Sequence, residues 1–111
     1  MLFADKGTKI ERYAKKRNSG KLVALLTDKK QDIRILAIKA LGTIGDEAAV
    51  NSLISLLNDP DPAIRLATVQ SMGVMGNQVT KTHLQHLIET ETDESVKQAI
   101  RETILKIPNK K

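Results

Sequence analysis

The chain has 111 residues, 41% of them apolar, which suits one domain with a modest core and argues against disorder over most of its length. It has no cysteine, which excludes disulfides, zinc–thiolate sites and thiol nucleophiles; its only aromatics are Phe3 and Tyr13, so the core must be aliphatic. The net charge of +5 belongs to the first 21 residues, with seven basic and two acidic side chains, while residues 22–111 hold eleven of each.

At the N-terminus no apolar run suits a signal peptide, and no stretch anywhere approaches the roughly 18 apolar residues of a membrane span. The expectation is a soluble, cytoplasmic protein with no membrane span. Thr8-Lys9-Ile10-Glu11 fits a capping box and predicts a helix over residues 8–17. Phe3, Ile10, Tyr13 and Ala14 share one side of it, and Lys9, Arg12 and Lys16 occupy the rest. Asn18-Ser19-Gly20 then breaks the pattern and can cap a new helix.

From there the chain repeats. Leu22-Val23-Ala24-Leu25-Leu26 returns as Leu53-Ile54-Ser55-Leu56-Leu57 and as Leu84-Gln85-His86-Leu87-Ile88, both times at an offset of 31. Ile33-Arg34 returns as Ile64-Arg65 at 31 and as Val96-Lys97 at 32, a one-residue insertion. Each copy holds two helical patterns. Leu22, Leu25 and Leu26 mark the first helix of copy one; Ile33, Leu36, Ala37, Ala40, Leu41 and Ile44 mark the core face of the second. Between the halves of copy two stands Asp59-Pro60-Asp61-Pro62, with Asp61 as N-cap and Pro62 at the first helical position, where its missing N–H is harmless. Gly45 and Gly76 suit a left-handed helix stop, and Asp46 and Asn77 can cap the next helix. In copy three Pro108 replaces the glycine stop. The boundaries are 1–18 for a basic capping helix, 19–45, 46–76 and 77–107 for the copies, and 108–111 for a basic tail.

With DPDPAIRLA at 59–67, IRILAIKALGTIGD at 33–46 and the LxxLL pattern of the first helices, residues 19–107 resemble the HEAT-like repeats of the short bacterial and archaeal type, as in phycobilin lyases. The resemblance is strong in copies one and two and degenerate in copy three. It implies an all-α, right-handed, armadillo-like α-solenoid whose second helices line the concave face. It also implies a non-enzymatic role in binding other macromolecules, with no cofactor.

The repeat creates two constellations. An acid stands six residues before a base in every copy: Asp28/Arg34, Asp59/Arg65 and Glu91/Lys97. In a stack these predict a structural ladder in which each acid meets backbone N–H groups and a base of its own or the next copy. The second constellation is apolar. Measured from Ile33, Ile35 falls at about 200° and Ile38 at about 140°, away from the core face, and copy two repeats them as Leu66 and Val69. Copy three has Gln98 and Arg101 there. On a concave face Ile35, Ile38, Leu66 and Val69, with Lys39, Gln70 and Arg101 beside them, form a candidate partner-binding patch. The competing reading buries 38 and 69 between copies and shields 35 and 66 beneath Lys39 and Gln70.

Catalytic motifs are missing: no phosphate loop, dinucleotide fingerprint or nucleophile elbow occurs, and the glycines of Gly42-Thr43-Ile44-Gly45 are explained by the repeat. His83, His86 and Glu89 share a helical face, but surface polarity accounts for them more simply than a metal does. The expected function is a protein-binding scaffold or adaptor whose concave strip, roughly 20–30 Å long, suits a peptide or one helix of a partner protein. One alternative is nucleic-acid or anionic-surface binding through the basic arm and the Lys110-Lys111 tail. Another is self-association through an incompletely covered C-terminal end near Ile104 and Ile107. A third, suggested by the family name alone, is a subunit or regulator of a larger enzyme assembly such as a lyase.

Overall fold

Residues 5–109 are described by a computed structural model, and within them the chain is all helical. Helix α1 spans Lys6–Lys15 and α2 spans Ser19–Ala24, tightening into a 3₁₀ turn at Leu25–Thr27. Then come α3 (Gln31–Ile44), α4 (Glu47–Leu56), α5 (Pro62–Met75), α6 (Gln78–Thr90) and α7 (Glu94–Lys106). Phe3, Lys110 and Lys111, which entered the sequence expectations, lie outside the described residues.

Local chemistry sets the boundaries. Asn18, Asp46, Asp61, Asn77 and Asp93 each accept a backbone N–H from the first turn they precede. Gly45 and Gly76 stop α3 and α5 with φ of 65° and 70°, a region open to glycine at little cost. One boundary differs from expectation. The cap of α1 is Asp5, whose Oδ1 accepts Thr8 N–H at 2.7 Å, so Thr8 lies inside the helix and heads no capping box. Arg17 ends the arm with a φ of 53°, and its Nη2 donates to the Ile44 carbonyl at the end of α3, at 2.8 Å. That bond places a cation on a carbonyl the helix leaves unpaired.

The pairs α2/α3, α4/α5 and α6/α7 stack as a short α-solenoid, with α1 against α2 and α3 at one end. Helices α2, α4 and α6 form one layer and α3, α5 and α7 the other; contact is far more extensive within the second layer. Small residues allow it. A Cβ on Gly42 would stand 2.9 Å from both the Cβ and the carbonyl oxygen of Ser71, so only glycine lets α3 and α5 approach this closely.

Tight packing also corrects the expected helix phase. Ile38 and Val69 are fully buried, not exposed. Ile38 lies one turn before Gly42 on the face that meets α5, and Val69 lies one turn before Gly73, which meets Thr103 of α7. Leu36, expected in the core, is 41% exposed, whereas its counterparts Ala67 and Ala99 are buried. They face the preceding second helix, and α3 has only α1 on that side. At the other end Arg101 and Leu105 occupy the positions of Ile38 and Gly42, with no helix beyond α7 among the described residues, and Leu105 is 86% exposed.

Candidate partner-binding face

The charged positions do two separate jobs. Within a copy, the arginine bonds the acid's own carbonyl and not its carboxylate: Arg34 Nη1 donates to Asp28 O and Arg65 Nη1 to Asp59 O, each at 2.8 Å. The carboxylates turn to backbone N–H groups two residues on, Asp28 to Lys30 and Asp59 to Asp61, each at 2.9 Å. Across copies, Arg65 Nε and Nη2 each donate to Glu91 at 2.9 Å, a two-pronged ion pair. Side-chain exposure is 15% for Arg65 and 1% for Glu91. Glu91 Oε2 also accepts the N–H groups of Thr92 and Asp93. The Arg65 bond holds the Glu91 carboxyl below the usual glutamate range against its burial, and Glu91 in turn raises the arginine's affinity for its proton.

The expected three-rung ladder is therefore one cross-copy ion pair among the described residues. Lys97 turns to Glu94 at 3.2 Å and away from Glu91. Arg34 makes no ion pair among those residues; the seam between copies one and two carries a bond from Gln31 Nε2 to Asp61 Oδ2 at 2.6 Å. The Gln31 bond and the Ala63 N–H lower the Asp61 carboxyl. Asp28 pairs instead with Lys6 of the arm, which lowers its carboxyl. Sequence spacing gave no sign of Gln31–Asp61 or Lys6–Asp28, because both join residues from different copies or from outside the repeat.

On the outward side of the second-helix layer, Ile35 and Leu66 are half-buried and pack against the core's edge. Lys39, Gln70, Gln98 and Glu102 beside them are exposed. Leu66 and Gln70 of α5 share a cleft of about 420 Å³ with Glu94, Ser95, Gln98 and Glu102 of α7. Of the expected patch, then, Ile35, Leu66, Lys39 and Gln70 lie at this surface. Ile38 and Val69 lie beneath it, and Arg101 is exposed at the open end.

Other clefts are less suited to a partner. One of about 670 Å³ at the start of α6 has its lysine engaged: Lys81 Nζ donates to Ile107 O at 3.0 Å and to Asn109 Oδ1 at 2.6 Å. Another, of about 520 Å³ between α4 and α6, includes His83, His86 and Glu89. No group of three metal-binding side chains is assembled among the described residues. Of the basic arm, Lys6 and Arg17 are held by structural bonds, while Lys9, Arg12, Lys15 and Lys16 are exposed. No helix among the described residues is long and apolar enough to cross a membrane.

A comparison with curated proteins found no match. A family model described as HEAT repeats matches residues 20–104, about three quarters of the chain. Such repeats typically mediate protein–protein interaction and generally form non-enzymatic scaffolds. Stacked helix pairs, a close-packed second-helix layer and this match together establish that the chain belongs to the HEAT repeat family.

Proposed function

We propose that the protein is a scaffold or adaptor that holds a protein partner, as a peptide or a single helix, on the outward side of α3, α5 and α7. The observation that carries this reading is the pairing of half-buried Ile35 and Leu66 with a cleft between α5 and α7. Apolar side chains at repeat-equivalent positions on a surface away from the first-helix layer leave hydrophobic area for a partner to cover, worth about 25 cal/mol per Å². Three helices about 8–10 Å apart present a strip too narrow for a large globular face.

A photo-cross-linking residue at Gln70, compared with one at Gln85 on the first-helix layer, tests it in the native cell. The expected result is a discrete protein adduct from position 70 and none from position 85. Adducts from 85 alone would move the binding surface to the other layer and overturn the reading.

A further inference from the structure

Lys39, Gln70 and Glu102 are repeat-equivalent residues on three successive helices, all exposed. Along this row the charge therefore runs from positive through neutral to negative, while exposed Asp32 on α3 and exposed Arg101 on α7 stand outside it. The neighbouring row reads Ile35, Leu66, Gln98, apolar at the positive end and polar at the negative one. At the negative end Glu94 joins Glu102 along the cleft that holds Leu66 and Gln70. Glu102 accepts one bond from Gln98 at 3.2 Å, and Glu94, 82% exposed, is ion-paired with Lys97 at 3.2 Å. Lys39 makes no ion pair among the described residues.

No ion pair among the described residues joins the two ends of this row. Lys39 and Glu102 stand two helix spacings apart, about 16–20 Å, beyond the roughly 8 Å over which exposed charges act at physiological salt. Only a ligand spanning both helices experiences the two ends together. Glu94 and Glu102 also repel a phosphate backbone, so the gradient argues against a polyanion on this face.

We propose, on the basis of the scaffold reading above, that this groove selects a partner peptide with opposite charges at its two ends. An acidic side chain meets Lys39, apolar side chains cover Ile35 and Leu66, and a basic side chain meets Glu102 and Glu94. At about 3.3 Å per residue, an extended segment needs some five or six residues between its charges.

The test uses synthetic peptides with two central leucines and charged ends about six residues apart. The four probes carry Glu and Lys, two Glu, two Lys, or two Gln, and each is titrated into the full chain and followed by NMR. The Glu/Lys peptide should bind best, by about fivefold over either like-charged peptide, as exposed pairs allow. Glu102→Lys should transfer the preference to the two-Glu peptide, and Lys39→Glu to the two-Lys peptide. Equal binding of all four, abolished by Leu66→Asp, would overturn the charge selection and leave the scaffold reading standing. No binding by any peptide would overturn the inference, and the position-70 cross-link decides the scaffold reading independently. Self-association in sedimentation velocity that Lys39→Glu abolishes would identify the occupant as a second copy and overturn the peptide assignment.

Discussion

The α3/α5 seam and the α5/α7 seam use equivalent repeat positions and are held differently. At the first, backbone closeness dominates: Gly42 abuts Ser71 with no room for a Cβ, and the polar link is the exposed Gln31–Asp61 bond. At the second, Gly73 has more space, a Cβ there standing 3.4 Å from Thr103 Cγ2, and a two-pronged ion pair joins the partly buried Arg65 to the buried Glu91. Thr103 Oγ1 also reaches the Val69 carbonyl across this seam at 3.4 Å. Copies one and two have aspartate in the inter-helix turn where copy three has glutamate after a one-residue insertion. Glu91, one methylene longer, bonds both the N–H groups of its own turn and Arg65 of the preceding copy, whereas the carboxylate of Asp59 bonds the Asp61 N–H of its own turn. A repeat thus conveys a packing geometry while leaving each seam free to choose its fastening.

Breaking the ion pair is the strongest test of that difference. Arg65→Ala leaves the Glu91 carboxylate buried without its cation and should cost about 3 kcal/mol. For a domain of this size that is a fall in Tm of about 10–20 °C by calorimetry. A Tm change within error would remove the ion pair as the fastening of the second seam.

Gly42→Ala comes next. Its Cβ meets backbone and not a movable side-chain tip, so the helices must separate. Overpacking of this kind costs about 1–3 kcal/mol, less the gain in helix propensity of roughly 1 kcal/mol. Urea unfolding should show a net loss of up to about 2 kcal/mol.

Acid sharpens the same contrast. Because Arg65 holds Glu91 below its ordinary value of about 4.5, its contribution is complete above that pH and is lost as pH falls through it towards the folded-state value. Glu91→Gln should lower stability at neutral pH and flatten its decline below about pH 4.5. The decline should persist in part, since bonds to Asp28, Asp46 and Asp61 lower those carboxyls too. An unaltered slope in urea titrations across this range would contradict the assigned cause.

Arg34→Ala removes only bonds to the Asp28 and Lys29 carbonyls, so its cost should be about 1 kcal/mol, well below that of Arg65→Ala. Equal losses would show that the two arginines do the same work. Smallest of all is Gly73→Ala, where ordinary contact distance and better helix propensity predict a change within about 0.5 kcal/mol of zero or slightly stabilising. A loss as large as that of Gly42→Ala would erase the distinction in spacing.

Much of the fold was decided by residues acting on their own neighbours. Asp46, Asp61, Asn77 and the two left-handed glycines set helix ends through bonds and dihedral preferences spanning a few residues. A period of 31 in Leu22/Leu53/Leu84 then implied stacked helix pairs, because no single pair can bury its apolar face alone. Candidate site residues were only partly legible. Ile35 and Ile38 carry the same side chain three residues apart, and a wheel places both off the core face; α5 covers one fully and leaves the other half exposed. Leu36 and Ala67, or Ile38 and Arg101, are equivalent in the repeat and differ in burial because α3 has the arm helix α1 in place of a preceding second helix and α7 has no following one among the described residues. Fastenings such as Arg65–Glu91 were likewise decided by which turn lies beside which helix. Local sequence sets dihedrals and caps over a few residues, but burial and pairing depend on what the rest of the chain brings alongside.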